Sequence, residues 1–148
     1  MAAELAGCLF HRYSISQYHP SRQFGIICWM KVQSLVWGKV KKGNKRGKDL
    51  GFPTANIPLH KKIPEGVYIS EVIINGQKYS ALTFVGATKT FGEKNSKVES
   101  YILNFNRDVY GKWITVRLFK KIRGNIKFKS EKELVEQIKK DVAVAKSF

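Results

Sequence analysis

The chain is poor in cysteine, histidine, acidic side chains and long apolar runs, and each shortage removes a class of explanation. Its two cysteines, Cys8 and Cys28, both lie in the leading segment without CxxC spacing, and the whole sequence holds three histidines with no cluster. No disulfide framework or structural zinc site is expected, and a reducing, cytoplasmic compartment is. No apolar run approaches the ~18 residues that a membrane span needs, so no membrane partner is expected. The first 30 residues do not place a basic stretch before an apolar core as a secretory signal does. They are acid-poor and carry Arg12, Ser14, Ser16, Ser21 and Arg22, a composition compatible with organelle import. Residues 1–30 are therefore read as a poorly ordered extension, and residues 31–148 as the domain.

Acid is the most consequential shortage: 11 Asp and Glu face 27 Lys and Arg, a formal charge of +16. Residues 1–37 contribute only a net +2, from Arg12, Arg22 and Lys31 against Glu4. Such a charge attracts polyanions, but it does not choose among nucleotide phosphates, RNA and an anionic membrane.

The 148 residues, 43% of them hydrophobic, suffice for one domain with a core. From Lys31 onward, short β-type runs alternate with turns, the pattern of an antiparallel barrel or sandwich. Strands are expected at Leu35 to Val40, around Thr54, at Val67 to Ile74, Lys78 to Val85, Val98 to Phe105 and Trp113 to Phe119. Asn75-Gly76 between two of these runs is a strong hairpin signal. Ser130-Glu131-Lys132-Glu133 then reads as a capping box. Leu134, Ile138, Val142 and Ala145 recur behind it at helical spacing.

The chemistry is expected in the stretch from Gly43 to Ile57. Gly43, Gly47 and Gly51 let backbone approach a ligand closely, while Lys45, Arg46 and Lys48 add positive charge beside the exposed amides. This is a phosphate-cradling composition without being a P-loop, because three residues rather than four separate Gly43 from Gly47 and Asp49 follows Lys48. In an extended segment Thr54 and Asn56 point to one face. Two neutral oxygens there suit a hard cation such as Mg²⁺ that also takes nucleotide oxygens. Pro53 lacks an amide hydrogen and predicts an edge or bulged strand.

Several separated signatures then fall in one order: the Gly-rich loop, Leu50-Gly51-Phe52-Pro53-Thr54-Ala55-Asn56, Gly66-Val67-Tyr68 and Val98-Glu99. Phe105 with Asp108 and Tyr110-Gly111 follow, then Arg123, Lys127-Phe128 and the helix with Leu134, Gln137-Ile138, Asp141 and Ala145. From about residue 36 to 146 the chain resembles the riboflavin kinase family. The resemblance implies a mainly β fold, a six-stranded antiparallel Greek-key barrel with a C-terminal helix. It implies transfer of the ATP γ-phosphate to the ribityl 5′-hydroxyl of riboflavin, giving FMN and ADP with Mg²⁺ as cofactor. We expect a monomer.

By the same resemblance Thr54 and Asn56 are the metal and phosphate ligands, and Glu99 is the general base. Gly43, Lys45, Arg46, Gly47, Lys48 and Gly51 belong to a flap over the nucleotide, Pro53 beside it also binds nucleotide, and Arg123 and Phe128 belong to a second flap that closes on flavin. Independently of the family, a carboxylate in the apolar run Val98 to Leu103 is costly without a task or a partner; an ion pair with a lysine is the plain alternative. Three positions depart from the family pattern: Lys89 where proline is usual, Tyr101 where histidine is usual, and Asn125 where glutamate is common. In many bacteria a similar domain follows a module that adenylylates FMN, which residues 1–35 could not hold, so FAD synthesis is not expected. The rival reading is a basic β-barrel binding RNA or single-stranded DNA, with Trp37, Tyr68 or Trp113 as a stacking platform. No specific nucleic-acid partner is expected on the kinase reading.

Overall fold

The computed structural model describes residues 31–43, 46–87 and 96–148. The extension at 1–30, Lys45 and Lys89 lie outside them, as does the side chain of Arg46.

Six strands form one antiparallel sheet: β1 (Ser34–Lys39), β2 (Thr54–Pro58), β3 (Gly66–Ile74), β4 (Gln77–Gly86), β5 (Lys97–Ile102) and β6 (Trp113–Arg123). Their order across the sheet is β1-β6-β3-β4-β5-β2, so β6 returns to lie beside β3 after the β3-β4-β5 meander. A helical turn, α1 (Arg46–Asp49), interrupts the loop before β2, and α2 (Glu131–Lys146) ends the domain. The Asn75-Gly76 turn has positive φ at both residues, 50° and 79°, as a tight hairpin requires.

The sheet curls until its two edges meet. Lys41 forms an antiparallel bridge with Asn56, its amide donating to the Asn56 carbonyl at 2.9 Å. Beside it Gly38 lies so close to β2 that a Cβ there would stand 3.2 Å from Pro58 Cδ. The curl has a visible source in β6, where register shifts opposite Val67/Tyr68 and Ile69/Ser70 add residues to one strand only. These extra residues carry β6 on to Arg123, past the Phe119 end expected from alternation. Conversely, β5 stops at Ile102 rather than Phe105, because the chain turns through Asn104 at φ 52°.

Inward residues of all six strands fill the barrel, with Val72, Val85, Val98, Val116 and Leu118 fully enclosed. Three enclosed hydroxyls satisfy one another: Ser70 donates to the Ala81 carbonyl at 3.0 Å, Thr83 lies 2.7 Å from Ser70, and Ser100 lies 2.8 Å from Thr83. Tyr68 is also core, its hydroxyl donating to the Pro64 carbonyl and its pKa raised by burial. It cannot serve as a stacking platform, whereas Trp37 and Trp113, the other two residues named for that role, are exposed.

On the outside of the sheet, α2 covers Val67, Ile69, Leu82 and Leu103 with Val142, Ala145 and Ile138. Ser130 caps it as the sequence predicts: the Glu133 amide donates to Ser130 Oγ at 3.3 Å, and Glu133 Oε2 accepts from the Lys129 amide at 3.1 Å.

Candidate active site

Strand β2 is an edge, consistent with Pro53 immediately before it. Ala55 and Ile57 enter the core, so Thr54 and Asn56 share the outer face. Across the β2–β5 ladder Thr54 is opposite Tyr101, Asn56 is opposite Glu99, and Pro58 is opposite Lys97. Directly opposed residues project to the same side of a sheet. Pairing alone therefore gathers the two neutral side chains Thr54 and Asn56 and the Glu99 carboxylate, which stand more than 40 residues apart in the sequence.

The glycine loop lies directly on these side chains. A Cβ at Gly43 would stand 2.7 Å from Asn56 Nδ2, and one at Gly47 would stand 2.5 Å from the Phe52 carbonyl and 3.3 Å from Thr54 Oγ1. Neither position admits another residue without moving backbone or the Asn56 side chain. The turn closes through the Phe52 amide on the Gly47 carbonyl and the Gly51 amide on the Lys48 carbonyl, with Gly51 at φ +87°. Phe52 then meets Tyr101 edge-on, ring centroids 5.4 Å apart. In this chain the tyrosine thus pins the loop exit to the outer cluster under α2. Lys48 and Pro53 are exposed at the rim.

Asn56 Oδ1 is buried with no hydrogen-bond partner among the described residues, and its Nδ2 reaches only the Thr54 carbonyl, at 3.4 Å. Leaving such an atom unsatisfied costs about 1–3 kcal/mol. A neutral oxygen kept bare at that cost fits a hard cation. Among the described residues no three His, Cys, Asp or Glu side chains converge, so a cation here would depend on neutral oxygens and on those of a bound phosphate.

Glu99 is half-buried and already paired: Lys97 Nζ meets its Oε1 at 2.8 Å. The ion pair with a lysine, the plain expectation for this carboxylate, is therefore present.

The segment from Arg123 to Phe128, expected to be a second flap, is tied to its surroundings by side-chain bonds. Arg123 uses Nε and Nη2 on Asp141 Oδ2, at 2.9 and 2.8 Å, and Nη1 on the Gly124 carbonyl, while its guanidinium lies 5.7 Å from the Phe128 ring centre. Gln137 completes the cluster by donating to Asp141 Oδ1 at 2.9 Å. Arg123 thus anchors the end of β6 to α2. The sequence carried a signal for this: Asp141 falls between Ile138 and Val142 on the apolar stripe. Removing one partner of a buried pair is strongly destabilising. Asp141→Ala is expected to lower unfolding free energy by about 3–5 kcal/mol, as measured by denaturant titration. A change within experimental error would show that the pair is dispensable. Further along the flap, Asn125 donates to Glu65 Oε2 at 3.0 Å and to the Ala87 carbonyl at 2.9 Å. The residue that departs from the family pattern is itself a tether.

A family model for riboflavin kinase, the flavokinase domain, matches residues 31–148. The chain belongs to the riboflavin kinase family. It is 42% identical over 114 residues to the trifunctional protein RibF/MnmA of Mycoplasmoides gallisepticum, covering 75% of this chain and 17% of that one. It is 41% identical over 112 residues to the bifunctional riboflavin kinase/FMN adenylyltransferase of Bacillus subtilis, covering 72% and 35%. The crystal structure of riboflavin kinase from Trypanosoma brucei superposes with a TM-score of 0.52 at 28% identity, covering 76% of this chain and 77% of that one. The chain thus spans about a third or less of the length of the two curated relatives.

Proposed function

We propose that this protein transfers the γ-phosphoryl group of ATP to the ribityl 5′-hydroxyl of riboflavin, giving FMN and ADP. The observation that carries the reading is the single outer-face row of Thr54, Asn56 and Glu99 beneath a glycine loop, in a chain of this family. Phosphoryl transfer asks a protein mainly for positioning and charge neutralisation. Loop amides around Gly43 to Gly51, with Lys45, Arg46 and Lys48, hold the phosphates. Thr54 and Asn56 would hold the divalent cation, Mg²⁺ in our reading, which when bound supplies positive charge to the phosphate oxygens. The riboflavin hydroxyl oxygen forms a bond to the γ-phosphorus, the bond to the β,γ-bridging oxygen breaks with its electron pair leaving on ADP, and the hydroxyl proton passes to Glu99. Lys97 orients the Glu99 carboxylate for that transfer. Arg123 and Phe128 form the floor of the flap that faces flavin.

Incubation with riboflavin, ATP and Mg²⁺ followed by chromatography is expected to show FMN formed stoichiometrically with ADP; no FMN would overturn the reading. A pair of titrations separates it from a nucleic-acid module. Oligonucleotide binding is expected to be weak and to collapse as salt rises. Riboflavin binding, followed by flavin fluorescence with ADP and Mg²⁺ present, is expected to survive the same salt, because burial of an apolar ring is screened little by ions. Salt-resistant oligonucleotide binding without a flavin response would favour the rival.

A further inference from the structure

Of the lysines near the glycine loop, one is placed by the barrel closure rather than by the loop. The bridge sets Lys41 directly opposite Asn56, and the neighbouring ladder sets Asn56 directly opposite Glu99. Val40 is buried in the core, so the alternation puts Lys41 on the outer face with those two side chains. The bridge residue just past β1 and the two strands β2 and β5 therefore present Lys41, Asn56 and Glu99 as one continuous row. Cross-strand neighbours stand about 5 Å apart at Cβ, so the flexible lysine stem easily carries its ammonium over Asn56. Lys41 is exposed and has no ion pair among the described residues, whereas Lys97, at the other side of Glu99, is engaged with it. The backbone that carries Lys41 is held by its own bridge and by the close packing of Gly38 on Pro58.

We infer that Lys41 is a phosphate-positioning cation for this reaction, its ammonium binding the terminal phosphate oxygens from the β1 side while Glu99 faces them from the β5 side. The inference rests on the phosphoryl-transfer reading of the row. It differs from a general basic surface because it singles out one lysine by register. A point charge at this place is expected to act on the nucleotide and not on the flavin.

The test compares Lys41→Met and Lys41→Arg with wild type, using calorimetric ADP binding in Mg²⁺ and steady-state kinetics. Lys41→Met is expected to weaken ADP binding and raise the KM for ATP, each about tenfold, as for one lost charge-assisted hydrogen bond. The riboflavin KM is expected to stay within about twofold, and Lys41→Arg to restore most of the ADP affinity, since it returns the charge. Lys78→Met, which removes an exposed charge at the hairpin end of β4, controls for the global field. Unchanged ADP affinity in Lys41→Met, or an equal loss in Lys78→Met, would overturn the inference. Asn56→Ala separates this failure from failure of the site reading. If Asn56→Ala raises the metal requirement while Lys41→Met is silent, only the inference falls; if both are silent, the row is not the site. Should Lys41→Met unfold, Lys41→Gln in the same titration decides.

Discussion

Glu99→Gln is expected to lower kcat by about 10²–10⁴, the typical worth of a positioned general base, while ADP and riboflavin affinities stay close to wild type. The amide keeps the shape of the carboxylate and the strand pairing with Asn56 and Phe84, so only proton acceptance is lost. The substitution also turns the Lys97 ion pair into at best a neutral hydrogen bond. Because that pair is partly exposed, its loss changes stability little. The two roles of Glu99 therefore separate by readout: a structural ion pair predicts a small stability effect and normal turnover, and a base predicts normal stability and lost turnover. Single-turnover and steady-state kinetics beside a thermal melt decide, and a kcat within a few-fold of wild type would remove Glu99 from the chemistry.

Asn56→Ala is expected to raise the Mg²⁺ concentration for half-maximal activity by at least about tenfold, in the range seen when metal sites lose a supporting group. Thr54→Ala moves it in the same direction, since each variant deletes one neutral oxygen and Mg²⁺ tolerates imperfect geometry badly. Stability without ligands runs the other way for Asn56. Its Oδ1 is buried and has no hydrogen-bond partner among the described residues, so removing it relieves a desolvated group, and the ligand-free melting temperature is expected to hold or rise. This opposition is the mark of a residue kept for a ligand at the expense of the fold. An unchanged Mg²⁺ titration in both variants would place the metal elsewhere, and a large loss of ligand-free stability in Asn56→Ala would make the asparagine structural.

The amino-acid sequence by itself determined the element types and the candidate residues of the site. Alternation along Val67 to Val85 with Asn75-Gly76 between, and the capped apolar stripe after Ser130, are local signals whose periodicity dictates which face is buried. The neighbourhood of Thr54 and Asn56 was equally legible, because two residues apart in a strand means one face whatever the strand pairs with. Pairing was not legible. Nothing local to Glu99 says that it lies opposite Asn56, and nothing local to Lys41 says that the barrel closes on it. Both follow from strand order and register, which depend on contacts between residues far apart in the chain. Arg123 shows the same divide. Its place before the flap was readable from the motif order, but its engagement with Asp141 required α2 to fold back over the sheet. Only the tertiary structure decided this, because a partly buried guanidinium takes whichever carboxylate the packing brings within 3 Å.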